Sequence, residues 1–161
     1  MKKGFVDWLH KESPDVICIQ ETKANQDQVE YDLIESLGYN TYWYSAQKKG
    51  YSGVAIFSKE KPNHIEYGSG MDYMDFEGRI LRVDFDKVSI MSLYLPSGTN
   101  TDRLEFKFRF MDDFKQYIYS LNKNFKNLVV CGDYNICHNT IDIHDPVRNK
   151  NVSGFLPEER L

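Results

Sequence analysis

From Phe5 to Gly38 the apolar positions change period twice. Phe5, Trp8 and Leu9 fall on one face of a helix over Phe5–Glu12, which Ser13-Pro14 breaks. Asp15–Gln20 carries the unbroken run Val16-Ile17-Cys18-Ile19, the pattern of a short strand covered on both faces. Helical spacing returns over Gln26–Leu37, with Val29, Leu33, Ile34 and Leu37 on one stripe and Gly38 as its C-cap.

Strand patterns follow at Tyr39–Tyr44, Gly53–Phe57, Ile65–Tyr67, Arg79–Phe85 and Val88–Leu95. Asp86-Lys87 fits a tight turn between the last two. Leu104–Leu121 reads as a long helix, with Phe110, Phe114, Ile118 and Leu121 at helical spacing. Asn127–Cys131 is a second buried strand, and loop signals run from there to Pro157. Leu156-Pro157-Glu158-Glu159 has the composition of a helix start. Antiparallel hairpins, together with two buried strands each entered from a helix, predict an α/β (α+β-like) layered sandwich rather than a purely parallel sheet. No repeat or linker interrupts the chain, so residues 1–161 read as one unit.

Composition narrows the partners. Acids outnumber bases 24 to 20, which excludes a uniformly basic nucleic-acid-binding surface but leaves room for a local basic strip. No apolar run is long enough to span a membrane, and Asp7, His10 and Lys11 interrupt any signal-like stretch. The expectation is a cytoplasmic protein with no membrane partner. Cys18 and Cys131 lie in apolar strands and read as buried free thiols in a reducing compartment. Cys131, Cys137 and His138 match no common zinc spacing and lack a fourth ligand.

The two buried strands end alike. One runs into Gln20-Glu21-Thr22, the other into Gly132-Asp133-Tyr134-Asn135. A carboxylate there is either a solvated turn or cap residue or is compensated by a cation. Hard oxygen donors without a His/Cys cluster suit Mg²⁺ or Mn²⁺, with water and phosphate completing the coordination. Tyr94 closes a third strand, either as a core tyrosine or as a donor to a phosphate oxygen. There is no Gly-Lys-Ser/Thr phosphate loop and no Gly-x-Ser-x-Gly elbow, so nothing supports nucleoside-triphosphate binding or serine hydrolysis.

Five segments occur in order: Gln20-Glu21-Thr22-Lys23, Gly50-Tyr51-Ser52-Gly53-Val54-Ala55, Glu77-Gly78-Arg79-Ile80, Tyr94-Leu95-Pro96-Ser97-Gly98 and Gly132-Asp133-Tyr134-Asn135. A sixth is Asn151-Val152-Ser153-Gly154-Phe155-Leu156-Pro157-Glu158-Glu159-Arg160. Together they resemble the successive signatures of the exonuclease III / AP endonuclease family, over essentially the whole chain. The resemblance implies a four-layered α/β sandwich with mixed sheets and Mg²⁺- or Mn²⁺-dependent hydrolysis of DNA phosphodiesters in base-excision repair. The substrate it implies is double-stranded DNA with abasic sites or 3′ ends. It casts Glu21 as the metal ligand, Tyr94 as a contact to the scissile phosphate, Asp133 as the residue that orients or deprotonates water, and Asn135 as a holder of phosphate and nucleophile. Arg103 becomes a DNA-backbone contact. Lys48 and Lys49, before Tyr51, occupy the place of a basic DNA-facing loop and otherwise read as solvated loop residues.

The match departs from the family at both ends. The first strand with its Asn motif and the closing Ser-Asp-His motif have no counterpart, and His10, His64, His138 and His144 lie outside any such motif. The implied object is about the first half of the family fold without its first strand. Two expectations follow: an uncovered sheet face through which the chain self-associates, and little or no nuclease activity for the chain alone. Two other readings stand beside this one: a non-catalytic, self-associating fragment, and a phosphoesterase of the same superfamily acting on a substrate other than DNA.

Overall fold

Among the described residues of the computed structural model (4–122, 125 and 127–160), seven strands form two sheets that share one buried layer. The first sheet has the order β1 (Val16–Gln20), β3 (Val54–Ser58), β2 (Asn40–Tyr44), all antiparallel. The second has the order β4 (His64–Tyr67), β5 (Ile80–Asp84), β6 (Ser89–Tyr94), β7 (Leu128–Asp133), with only β6 and β7 parallel. The β5–β6 hairpin closes at Asp86-Lys87 as expected, Phe85 N–H donating to the Val88 carbonyl at 2.9 Å.

Strand alternation sets the layers. Val54, Ile56, Leu81 and Val83 point between the sheets and are fully buried. Ala55 and Phe57 point the other way, against Leu9 of α1 (Phe5–Glu12) and Ile34 of α2 (Tyr31–Ser36). On the far side Ile80, Met91 and Leu93 pack on Phe110 and Leu121 of α4 (Thr101–Leu121) and on Met74 of α3 (Asp72–Asp75). Each such side chain contributes about 1.5–3 kcal/mol by burial. The stack is helix, sheet, sheet, helix, the predicted four-layered sandwich.

The structure corrects several expectations. The helix expected over Gln26–Leu37 is broken. Gln26–Gln28 forms one 3₁₀ turn closed by a capping box between Asn25 and Gln28, and Val29 is extended at φ −120°, ψ 141°. A local cap and a β-branched residue outweigh the apolar stripe there. α4 starts three residues before its first apolar position, because Asn100 caps it by accepting from Arg103 N–H at 2.9 Å. Leu156–Glu159 gives only a 3₁₀ turn, Pro157–Arg160.

The two continuous apolar strands are edge strands among the described residues. β1 is covered on both faces, yet each of its residues is only half-buried, because β3 is its sole ladder partner. β7 is more open still: Val129 is 46% exposed and Cys131 is exposed rather than a buried thiol. The expected uncovered sheet face is absent among the described residues, since helices cover both outer faces. What lies open is the shared edge of β1 and β7.

Candidate active site at three strand ends

β1, β6 and β7 finish at one end of the inter-sheet layer. Gln20 Nε2 donates to Ser92 Oγ at 2.9 Å and Ser92 Oγ donates to the Ile19 carbonyl at 3.2 Å, pinning β1 to β6 across the layer. In the β6–β7 ladder Tyr94 is paired with Asp133. Glu21, the first residue after β1, therefore arrives beside Tyr94, whose ladder partner is Asp133. Its backbone takes φ 56°, a conformation that costs a glutamate about 1–3 kcal/mol. The loop is held there by Thr22 N–H and Lys23 N–H, which donate to the Gly53 and Ser52 carbonyls at 3.1 and 2.8 Å.

Electrostatics give these groups different protonation states. The hydrogen bond from Lys23 (Nζ–Oε1 2.9 Å), helped by the Lys23 charge, the Tyr94 hydroxyl and Arg79, outweighs desolvation and holds the Glu21 carboxyl below its usual range. Glu21 is thus an exposed, ionised carboxylate at neutral pH. Burial, with Glu21 and Asp133 nearby, pushes the Tyr94 phenol above its usual range, and Arg79 opposes this. Tyr94 is a neutral hydrogen-bond donor.

Behind Tyr94 lies a group that the sequence reading did not single out. Arg79 is 2% exposed. Its Nη1 donates to the Tyr94 carbonyl at 2.9 Å, its Nη2 to the Tyr51 hydroxyl at 3.3 Å and its Nε to Glu77 at 2.6 Å. Its guanidinium carbon stands 4.7 Å from the Tyr94 ring centroid. Glu77 also grips Arg103 with both oxygens, at 2.8 and 3.0 Å. Burial disfavours the Glu77 charge, but the two guanidiniums outweigh it and keep the carboxyl below its usual range. Gly78 between them is obligatory in shape: at φ 58° an added Cβ would meet Ser45 C at 2.6 Å and the Tyr44 carbonyl oxygen at 2.7 Å.

The Asp133 side has its own brace. Asp133 Oδ1 accepts from Asn135 N–H at 2.9 Å, and Asn135 Nδ2 donates to the Leu95 carbonyl at 2.7 Å. The Asn135 carbonyl accepts from the Lys107 ammonium at 2.8 Å, and Lys107 pairs with Glu159 at 2.6 Å with both side chains fully buried. Asp133 and Asn135 line an open cleft of about 670 Å³ with Ile143, His144, Asn149 and Val152.

The profile of the Endonuclease/Exonuclease/phosphatase family matches residues 2–160. The chain belongs to this family. It is 38% identical over 160 residues to the exodeoxyribonuclease of Bacillus subtilis (strain 168), covering 99% of this chain and 62% of that relative. It is 38% identical over 163 residues to the DNA-(apurinic or apyrimidinic site) endonuclease of Dictyostelium discoideum, covering 99% of this chain and 45% of that one. The solved AP endonuclease from Archaeoglobus fulgidus superposes with a TM-score of 0.85 at 27% identity, over 97% of this chain and 60% of its own. The chain thus spans between 45% and 62% of these curated relatives.

For this member of the Endonuclease/Exonuclease/phosphatase family, the structure brings together Glu21, Tyr94, Asp133 and Asn135 at one strand-end cluster. Arg103 is engaged by Glu77 and stacks on Phe106, its guanidinium carbon 4.3 Å from the ring centroid. Lys48 lies 5.4 Å from the Tyr51 ring centroid, and Lys49 is exposed on the same loop. The sequence pattern does not single out Glu77 and Arg79, the brace behind Tyr94, although their segment is one of the ordered motifs. The available signal was a charge on each side of a glycine, directly before a buried strand. Lys107 and Glu159 gave none, since each sits among other charged residues. The Glu21 carboxylate and the Tyr94 hydroxyl are hard oxygen donors of the kind Mg²⁺ or Mn²⁺ takes, while the Lys23 ammonium pairs with Glu21 and no three His, Cys, Asp or Glu side chains cluster there among the described residues.

Proposed function

We propose that the protein serves in Mg²⁺- or Mn²⁺-dependent hydrolysis of DNA phosphodiester bonds, of the exodeoxyribonuclease / AP endonuclease type. Its substrate would be double-stranded DNA with abasic sites or 3′ ends. One observation carries the reading: an ionised carboxylate, a neutral phenol and a second carboxylate meet at the ends of strands from two sheets.

Phosphodiester hydrolysis builds negative charge on the phosphoryl and leaving oxygens. A cation held by Glu21 supplies charge stabilisation when bound. Tyr94, protonated at neutral pH, donates a hydrogen bond to a phosphoryl oxygen from a fixed position. Asp133 orients the attacking water from the cleft side, and Asn135, fixed through its Nδ2, keeps its side-chain oxygen for the same water or phosphate group. In-line attack leaves a 5′-phosphate and a 3′-hydroxyl. Lys48, Lys49, Tyr51 and Arg103 lie on the Tyr94 side, where backbone phosphates are held without reading sequence. The chain by itself is expected to turn over slowly.

Because turnover is expected to be slow, the test reads cation binding as well. Mn²⁺ titration followed by electron paramagnetic resonance is expected to show a site lost in Glu21→Gln and kept in Asp133→Asn. Cleavage of an abasic duplex, at whatever rate the wild-type chain shows, is expected to fall at least a hundredfold in both, since a charge-stabilising or water-positioning group contributes about 10²-fold or more. Unchanged Mn²⁺ binding in Glu21→Gln refutes the metal assignment, and unchanged cleavage in Asp133→Asn refutes the role of Asp133.

A further inference from the structure

Lys23 has no part in the chemistry above, yet its ammonium sits on the carboxylate that would hold the cation. Its Nζ lies 2.9 Å from Glu21 Oε1, and the two side chains are 56% and 47% exposed. The loop that makes this contact is strained. Glu21 takes φ 56° and Lys23 φ 50°, the left-handed region that suits glycine. Among the described residues, six that are not glycine occupy that region, and four of them gather at the strand ends: Glu21, Lys23, Ser52 and Asn135. Neighbours hold the loop against the strain. Thr22 N–H and Lys23 N–H are tied to the Gly53 and Ser52 carbonyls. Thr22 packs so closely that a Cβ added at Gly53 would meet its Oγ1 at 2.4 Å. Strain kept in place on both sides of Thr22 by packing and hydrogen bonds points to a functional constraint rather than to a loose surface pair.

We propose that Lys23 is a positioning residue that occupies Glu21 as an internal cation and thereby weakens divalent-cation binding at that carboxylate. The proposal rests on the cation-dependent reading above and adds to it a residue that sets the affinity of the cation. The ammonium and a divalent ion compete for one carboxylate. A divalent ion bound at Glu21 displaces the ion pair and places its charge near that of Lys23, and both effects oppose it. The same pairing keeps Glu21 from standing as a bare anion beside Tyr94, where it would repel an approaching phosphate. Arg79 cannot take over this role. It acts on Glu21 only through its charge, because its fork is committed to Glu77, Tyr51 and the Tyr94 carbonyl.

The experiment titrates the full chain with Mn²⁺, reading free Mn²⁺ by electron paramagnetic resonance. Lys23→Met is expected to bind Mn²⁺ about fivefold more tightly than wild type, the factor that an exposed ion pair near the top of its range represents. Lys23→Arg restores a cation on Glu21 and is expected to bind no more tightly than wild type. Lys11→Met removes one positive charge from the exposed end of α1, where Lys11 pairs with Glu12, and is expected to leave the affinity unchanged. The rise in melting temperature at a fixed Mn²⁺ concentration gives a second readout and should be larger in Lys23→Met than in wild type. Glycine suits φ 50°, so Lys23→Gly supplies a second variant without the ammonium if Lys23→Met folds poorly.

An affinity in Lys23→Met within about twofold of wild type, or weaker, overturns the proposal. So does equal tightening in Lys11→Met, which would reduce the effect to net charge. Loss of the site in Glu21→Gln with no change in Lys23→Met overturns the role of Lys23 and leaves the cation reading standing. Mn²⁺ binding that survives Glu21→Gln, or is undetectable in every variant, overturns both. None of these readouts depends on nuclease activity.

Discussion

Replacing Lys107 by methionine tests the brace behind Asn135. The ammonium is fully buried and makes two hydrogen bonds, to the Asn135 carbonyl and to Glu159 Oε1. Glu159 also accepts from Ser153 Oγ at 2.8 Å, Gly154 N–H at 2.6 Å and Leu156 N–H at 3.0 Å. Lys107→Met leaves a buried carboxylate with three dipolar donors and no countercharge, and takes the donor from the part-buried Asn135 carbonyl. Breaking such a pair costs about 3–5 kcal/mol. The remaining donors favour the lower end, so about 3 kcal/mol is expected. At about 2–4 °C per kcal/mol for a chain of this size, the melting temperature should fall by about 6–12 °C. Urea unfolding followed by tryptophan fluorescence measures it. Glu159→Gln should be destabilising too, and Lys107→Met/Glu159→Gln should recover much of the loss, because no buried charge is then left alone. The acid limb adds a signature. Burial disfavours the Glu159 charge, but the bonds from Lys107, Ser153 and Leu156 outweigh it and hold the carboxyl below its usual range. A depressed folded-state pKa contributes stability that is complete above the unfolded carboxylate value, about 4.3, and is lost as pH falls through the folded value. The gap between wild type and Glu159→Gln should therefore narrow on acidification below about pH 4. A Lys107→Met protein within 0.5 kcal/mol of wild type, or a double variant equal to the sum of the singles, would sink the reasoning.

Three further outcomes are expected. Gly132→Ala pushes a Cβ into the Leu93 carbonyl across the parallel β6–β7 ladder and should cost about 1–3 kcal/mol; a wild-type thermal melt would show that the ladder yields freely. In Glu21→Gln the Tyr94 phenol should titrate lower than in wild type, because the neighbouring negative charge is gone while burial remains; ¹³C-tyrosine resonance shifts read this, and an unmoved titration would separate the two groups. Arg79→Lys keeps the charge but loses the planar fork that reaches Glu77, Tyr51 and Tyr94 together, for a loss of about 2 kcal/mol in denaturant unfolding. Its failure to destabilise would mean that the fork is replaceable by a point charge.

The layers were legible in the sequence because two periods carry them. Alternation in β5 and β6 sent Leu81 and Val83 one way and Ile80, Met91 and Leu93 the other, and helical spacing put Phe110 and Leu121 on the second sheet. Burial of the continuous strands was misread. An unbroken apolar run reports that both faces are covered, as β1 shows, and says nothing about whether a neighbour pairs along the edge. The short α3 escaped because it is four residues long, just over one helical turn, with too few positions to show a helical period. Strand ends identified Glu21, Tyr94 and Asp133 one at a time, but their meeting depends on the Gln20–Ser92 pin, whose residues are seventy-two positions apart. The braces were invisible for a related reason. Arg79 with Glu77, and Lys107 with Glu159, are ordinary charges in sequence and become distinctive only through burial.

This division between exposed chemistry and buried support has a consequence for how substitutions sort. Glu21 and Asp133 are solvent-facing and make few contacts that the fold needs. Glu21 even holds a strained backbone, so its neutral analogues should leave stability near wild type while removing the charge. Arg79, Glu77, Lys107 and Glu159 show the opposite pattern. Their loss exposes unpaired charges in a low-dielectric interior, so stability falls first and the geometry of Tyr94 or Asn135 follows. A substitution at the strand ends that lowers the melting temperature as much as one at the braces would contradict this division. It would mean that the strand-end carboxylates are fold elements rather than ligands.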